Sequence, residues 1–250
     1  MDELFSSEEI SGIKTSLMPV MPVSVIDIGS GVGQRDEPVD HSKSSSRAKY
    51  SPFPHEVCNL VYSLFLRNAT HVFDPFAGWG ERHAYANRYN IRYTGYDLSS
   101  EAIAHARNMF GVENRQLNSL ENTSPISSDA LFTCPPYWNL ESYNGNGIDK
   151  AHTWNEFLCQ YREVFKCARV GRFNVVCIMV GNWRKGGVYY DLQHETDKIM
   201  REAGLVVFDK VVVSRKKISK IKVMLPQAKR LGYTVNVHEH LLVYKRKGLL

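Results

Sequence analysis

No stretch of this 250-residue chain is apolar for the ~20 residues that a bilayer-crossing helix needs, so no membrane partner is expected. Cysteine is scarce and unpatterned. Cys58, Cys134, Cys159, Cys167 and Cys177 are odd in number and show no CxxC or other metal-ligand spacing, which argues against a disulfide scaffold or a zinc site. His55, His83 and His152 likewise lack metal-ligand spacing and read as surface or locally hydrogen-bonded residues. The opening MDELFSSEEI has neither the basic flank nor the apolar centre of a signal peptide, so a reducing, cytoplasmic setting is expected. The last third is poor in acid: from Lys166 onward 18 Lys and Arg face 6 Asp and Glu, a net +12 in a chain whose total is only +5. Such asymmetry points to a polyanionic partner, with nucleic acid first and a merely solvated basic face as the plainer reading.

Two segments have the grammar of a strand, an acid and a glycine turn: SVIDIGSGVG (24–33) and HVFDPFAGWG (71–80). A turn of this kind holds a nucleotide-like cofactor only if a helix follows, with its N-terminus at the ligand, and then a second strand ending in an acid. Residues 31–50 are polar, Ser-rich and without period, so the first cluster lacks that sequel. The second has it. ERHAYANRYN reads as a helix and IRYTGYDLS as a strand ending at Asp97, about twenty residues past the turn, where a carboxylate can meet ribose hydroxyls.

The alternation continues. SSEAIAHARNMFG is a helix with a serine N-cap at Ser99 or Ser100 and a Gly111 stop, and SDALFTCPPY holds a strand running into a Pro-Pro turn. An amphipathic helix over 153–171 with Gly171 past its end comes next, then the strand FNVVCIMVG, the helix LQHETDKIMREAG and the strands LVVFDKVVVSR and HEHLLVYKR. The pattern predicts an α/β protein with an open, mainly parallel sheet. We divide it into an N-terminal arm over 1–48 and one domain over 49–250, with no internal repeat and no separate recognition domain.

FTCPPYWNLESY (132–143) delivers two prolines and two aromatics to a strand's carboxyl end, where open α/β sheets place ligands. Prolines carry no N–H, so nearby carbonyls stay free to accept, and Tyr137 and Trp138 offer flat faces. A planar base with an exocyclic amine suits such an edge. With DPFAGWG, GYD and TCPPYW in this order, and KYSPFPHEVCNLVYSLFL (49–66) before them, the chain resembles the S-adenosylmethionine-dependent DNA amino-methyltransferases (adenine-N6 or cytosine-N4) of phage and prophage type. VGNWRKGG and HEHLLVYKR resemble later strands of that family, so the likeness covers residues 49–247.

That resemblance implies a Rossmann-like methyltransferase fold with a seven-stranded, mostly parallel sheet and helices on both faces, S-adenosylmethionine as cofactor and DNA as partner. Asp74, Phe76, Ala77, Gly78 and Gly80 would lie along the methionine part of the cofactor. Pro52 and Phe53 would close that end, Asp97 would hold the ribose and Leu98 would pack near the adenine. Asn118 stands about where the family often has an acid for the adenine amine. Cys134, Pro135, Pro136 and Tyr137 would form the catalytic loop, with Tyr137 stacking on a flipped base. Cys134 departs from the family's Asp, Asn or Ser, and a thiol is a weaker acceptor.

Other readings remain open. TCPPYW can be a structural turn, Asp97 a helix cap and the glycines mere turn formers. Guanine-N2 methylation in RNA, methylation of a glutamine amide, a Cys134-nucleophile route to a pyrimidine carbon-5, and a catalytically silent binding subunit are the functional alternatives. For DNA contact we single out Trp138 and the basic loop bearing Arg215, Lys216, Lys217, Lys220 and Lys222, with loose or short sequence preference and a monomer or homodimer as the assembly.

Overall fold

The computed structural model describes residues 22–28, 52–121, 127–139, 147–214 and 221–249, with backbone alone for 221–223. In chain order the elements are β1 (Val25–Asp27), α1 (His55–Leu60), which runs into a π turn over Val61–Phe65, β2 (His71–Asp74), α2 (Glu81–Arg88), β3 (Arg92–Asp97), α3 (Ser100–Phe110) and β4 (Arg115–Gln116). There follow β5 (Ala130–Thr133), α4 (Trp154–Cys167), β6 (Val175–Val180), β7 (Trp183–Lys185), β8 (Val188–Tyr190), α5 (Leu192–Glu202), β9 (Leu205–Ser214), α6 (Ile221–Leu231) and β10 (His238–Arg246). Among the described residues, no helix is long and apolar enough to cross a membrane.

Among the described residues, eight strands join in the order β1-β9-β10-β6-β5-β2-β3-β4, while β7 and β8 pair apart as a two-stranded ribbon. All neighbours in the main sheet run parallel except β10, which is antiparallel to both β6 and β9. The sheet therefore has one strand more than the seven expected. The addition is β1, the strand of the first glycine cluster, which pairs with β9 through Val25↔Val212 and Asp27↔Ser214 at the sheet edge. Three residues of the expected N-terminal arm thus belong to the main sheet, and the glycines of that cluster lie outside the described residues.

Strand periodicity sends successive side chains to opposite faces. Phe73, Leu131, Val176 and Ile178 enter one core with Tyr161, Phe165, Leu192 and Met200 from α4 and α5. Val72, Phe132, Cys177 and Met179 enter the other with Val57, Leu60 and Tyr62 from α1 and its π extension and Tyr85 from α2. Because both faces are covered, β2, β5 and β6 read as continuous apolar runs. Helix ends follow local chemistry. Ser99 Oγ accepts from Ala102 N at 3.2 Å to start α3, and Gly111 at φ 65° ends it. Gly171 is not the stop expected for α4: that helix ends earlier, with Arg169 left-handed at φ 51°. A Cβ on Gly171 would sit 2.3 Å from Ala203 O, so glycine there permits close packing against the end of α5.

Candidate active site

Strand order reverses between β2 and β5, and the crevice at the carboxyl ends of such a switch point is where open α/β sheets bind ligands. A cleft of about 340 Å³ lies there, walled by the turn after β2, the end of β3, the exit of β5 and the start of β10.

The turn after β2 is held from beneath. Asp74 is fully buried and accepts four hydrogen bonds: Oδ1 from Phe76 N (2.9 Å) and Thr133 Oγ1 (2.6 Å), and Oδ2 from Arg82 Nε (2.6 Å) and Tyr93 OH (2.6 Å). Burial, with the Asp74 charge second, pushes the Tyr93 phenol well up, so it stays a donor. Arg82 also donates to Phe76 O at 2.5 Å and lies 4.6 Å from the centroid of the Phe53 ring. Ser119 Oγ donates to Pro75 O, and Ala77 N to Tyr96 O at 2.8 Å. Phe76 and Gly78 line the cleft; Asp74, Ala77 and Gly80 do not. Their expected place along the cofactor stays a proposal, and each has a structural part of its own. Asp74 fastens the turn, Ala77 sits against β3, and Gly80 permits helix packing: at φ 105°, its Cβ would meet that of Ala106 at 2.6 Å.

At the end of β3, Asp97 Oδ2 accepts from Gly78 N at 2.7 Å and Oδ1 from Ser99 N at 2.8 Å. The same carboxylate therefore ties the glycine turn to the cap of α3 and lines the cleft. Burial raises its pKa, against the lowering effect of the Ser99 and Gly78 amides. Leu98 and Asn118 line the cleft beside it, although Asn118 Oδ1 also accepts from Leu120 N at 3.1 Å. Pro52 and Phe53 form another part of the wall.

Cys134, Pro135, Pro136 and Tyr137 all line the cleft as β5 leaves the sheet. Tyr137 OH donates to Glu239 Oε1 at 2.7 Å, and its ring meets Trp183 edge-on at 5.4 Å. Trp138, expected at the DNA, has a packing role in this structure. It is 8% exposed, donates from Nε1 to Ala151 O at 2.8 Å, and packs between Trp154 and Tyr190 at 5.9 and 5.2 Å. Arg215, Lys216, Lys217 and Lys220 lie outside the described residues, and for Lys222 the backbone alone is described, in α6. The expected loop is thus partly helical. The strand before it in sequence, β9, ends at Ser214, and that end lies on the same sheet edge as the cleft.

Sequence reasoning missed Glu81, Ser119, Asp149 and Glu239, all of which line the cleft. None lies in the glycine turn or the Pro-Pro edge, and Glu239 lies near the start of HEHLLVYKR, a stretch matched only as a later strand. Glu239 reaches Tyr137 across 102 residues because β10 runs against its neighbours and brings its first residues to the carboxyl-end edge. Glu81, Asp97, Asp149 and Glu239 place carboxylates on the wall, with Asp149 paired to Lys150 at 3.2 Å and Glu239 to Tyr137, and the wall arginine, Arg82, is paired with Asp74. The cleft is acidic within a chain of net positive charge.

No protein-family model matches the chain, and no curated protein sequence matches it. Solved structures do. The magnesium protoporphyrin IX methyltransferase of Synechocystis PCC 6803, solved with bound S-adenosylmethionine, is similar over 77% of this chain and 79% of its own at 10% identity and a TM-score of 0.50. The N-methyltransferase NodS of Bradyrhizobium japonicum WM9 is similar over 76% and 94% at 12% identity and a TM-score of 0.51. A candidate RNA methyltransferase of Pyrococcus horikoshii is similar over 78% and 85% at 16% identity and a TM-score of 0.50. At these identities the likeness is one of fold: the chain has the Rossmann-like methyltransferase fold.

Proposed function

We propose that this chain is an S-adenosylmethionine-dependent methyltransferase that methylates the exocyclic amine of a nucleobase in DNA, adenine N6 or cytosine N4. One observation carries the reading: the glycine turn at Phe76 and Gly78, the Asp97 carboxylate and the Cys134 to Tyr137 edge wall a single cleft at the switch point of the sheet. The residues present suit the cofactor. Each Asp97 oxygen accepts one backbone N–H and keeps capacity for a hydroxyl, and a wall rich in carboxylates favours a ligand of positive charge.

When bound, S-adenosylmethionine supplies an electrophilic methyl group on a positively charged sulfur. The chain's own part is positioning. Pro135 and Pro136 have no N–H, so the edge offers carbonyl acceptors to an amine's two hydrogens and turns its lone pair toward the cleft. Tyr137, pinned by Glu239 and backed by Trp183, is 9% exposed and shows a flipped base only the part of its ring on the cleft wall, so stacking offsets at most about 1–3 kcal/mol of the unstacking cost. The amine gives up its proton to water after transfer, so no strong base is required.

The test is to incubate the protein with labelled cofactor and DNA, digest the DNA to nucleosides and identify the methylated species by mass spectrometry. N6-methyladenine or N4-methylcytosine supports the reading. Label in C5-methylcytosine would move the chemistry to Cys134 as nucleophile, and label appearing in RNA guanine instead of DNA would move the substrate.

A further inference from the structure

The β7–β8 ribbon stands beside the cleft without lining it, and its two faces differ in character. Pairing sets Trp183 opposite Tyr190, Arg184 opposite Tyr189 and Lys185 opposite Val188. Alternation therefore sends Trp183, Tyr190 and Lys185 to one face and Arg184 and Tyr189 to the other. The first face is anchored to the catalytic edge. Trp183 packs on Tyr137 at 5.4 Å, Tyr190 on Trp138 at 5.2 Å, and Lys185 Nζ donates to Asn139 O at 2.7 Å. The second faces solvent: Arg184 is exposed and Tyr189 is 44% exposed.

The outer pair is ordered yet stays open to solvent. The Arg184 guanidinium lies 5.2 Å from the Tyr189 ring centroid and 4.8 Å from that of Tyr233, and it donates to Gly187 O at 2.9 Å. Among the described residues it pairs with no carboxylate. A guanidinium ordered by two rings and one carbonyl has lost much of its rotamer freedom yet keeps donors for a phosphate. Residues 183–190 carry two cations and no acid. One residue of ribbon, about 3.3 Å of rise, separates Arg184 from Trp183, which backs the cleft wall.

We infer that the outer face of this ribbon is a stacking platform for the single-stranded nucleic-acid segment next to the target base, with Tyr189 taking a base face and Arg184 an adjoining phosphate. The inference rests on the nucleobase reading above and adds to it the surface that receives the strand. A flat aromatic beside an ordered cation suits single strands, since every base has a π-face and every linkage a negative charge.

The test is fluorescence anisotropy with a short labelled single-stranded DNA of mixed sequence, at several salt concentrations, on the full chain. Tyr189→Ala should weaken binding about five- to hundredfold, and Tyr189→Phe should bind like wild type, because the ring and not the hydroxyl stacks. Arg184→Ala should weaken binding and lower the salt slope by about 0.7. Calorimetric affinity for S-adenosylmethionine should be unchanged in all three, which also reports that they fold. Wild-type binding with Tyr189→Ala and Arg184→Ala within twofold of it overturns the platform alone. Equal losses in Tyr189→Ala and Tyr189→Phe overturn it too. A wild type that binds cofactor but no DNA at any salt removes the nucleobase reading and the platform together.

Discussion

At Cys134 the chain carries a thiol where an amine substrate calls for a stronger acceptor. If the amine reading holds, Cys134→Ser keeps or raises methyl transfer at unchanged cofactor affinity; if a carbon-5 route operates, the same change removes the nucleophile and abolishes turnover. Single-turnover transfer on the folded variant decides between them. The two turn glycines should also part company. Gly80→Ala forces a side chain into a left-handed φ of 105° and onto Ala106, so it should cost about 1–3 kcal/mol in urea unfolding and leave ligand contacts in place. Gly78→Asp puts bulk and negative charge on the cleft wall beside Asp97, so calorimetry should show lost cofactor binding in a folded protein. Asp97 adds a pH signature. Burial holds its pKa above the ordinary value of about 3.9, so cofactor affinity should begin to fall on acidification at a higher pH than that value implies. Folding responds in the opposite sense. A raised acid pKa gives stability that is fully present below the unfolded pKa and lost as pH rises through the folded one, so Asp97 itself does not drive acid unfolding.

The elements that carry the site were largely legible. β2 and β5 are short buried strands that lead into Asp74 and the Pro-Pro turn, β3 is a mixed strand that ends at Asp97, and α3 has its serine cap and glycine stop in view. What was not legible lacks a local signal. β4 is two exposed residues paired to Tyr96 and Asp97, and the β7–β8 turn over Gly186 and Gly187 lies inside a stretch matched only to the family's later strands. The helix α6 was hidden by its lysines and by Pro226, which removes one interior hydrogen bond; Ala228 alone among residues 224–231 is buried, so tertiary packing gives little sign of it. Glu239 was invisible because strand polarity, and no motif, brings it to Tyr137. The basic stretch before α6 has its own expected outcome. It follows the end of β9 on the cleft's side of the sheet, so replacing Lys216, Lys217 and Lys220 with Ala should weaken duplex DNA binding at every sequence and flatten the salt slope by about 0.9 per lost phosphate contact. A change in which sites are methylated at an unchanged slope would instead make the segment a base reader.

Across the whole molecule, charge is sorted by depth. Carboxylates line the cleft, whereas the last third of the sequence carries net +12 and ends β9 on the sheet edge that opens to the cleft. On the proposed function, a small cation and a long polyanion would be drawn to one edge without competing for the same charges. The two ligands should then separate by salt. Duplex DNA affinity falls as counterion release is suppressed, so four phosphate contacts imply roughly a hundredfold loss between 50 and 200 mM salt. The cofactor meets few charges at short range in a partly enclosed cleft, where screening acts weakly, so its affinity should move by less than about twofold over the same interval. Thermal shifts supply an independent reading: cofactor at about a hundred times its Kd should add about 2.7 kcal/mol of stability, and that gain should persist at high salt. Parallel calorimetry and anisotropy titrations check the pair. Equal salt slopes for both ligands would mean that the acidic wall does not select the cofactor and that the surface charge governs both.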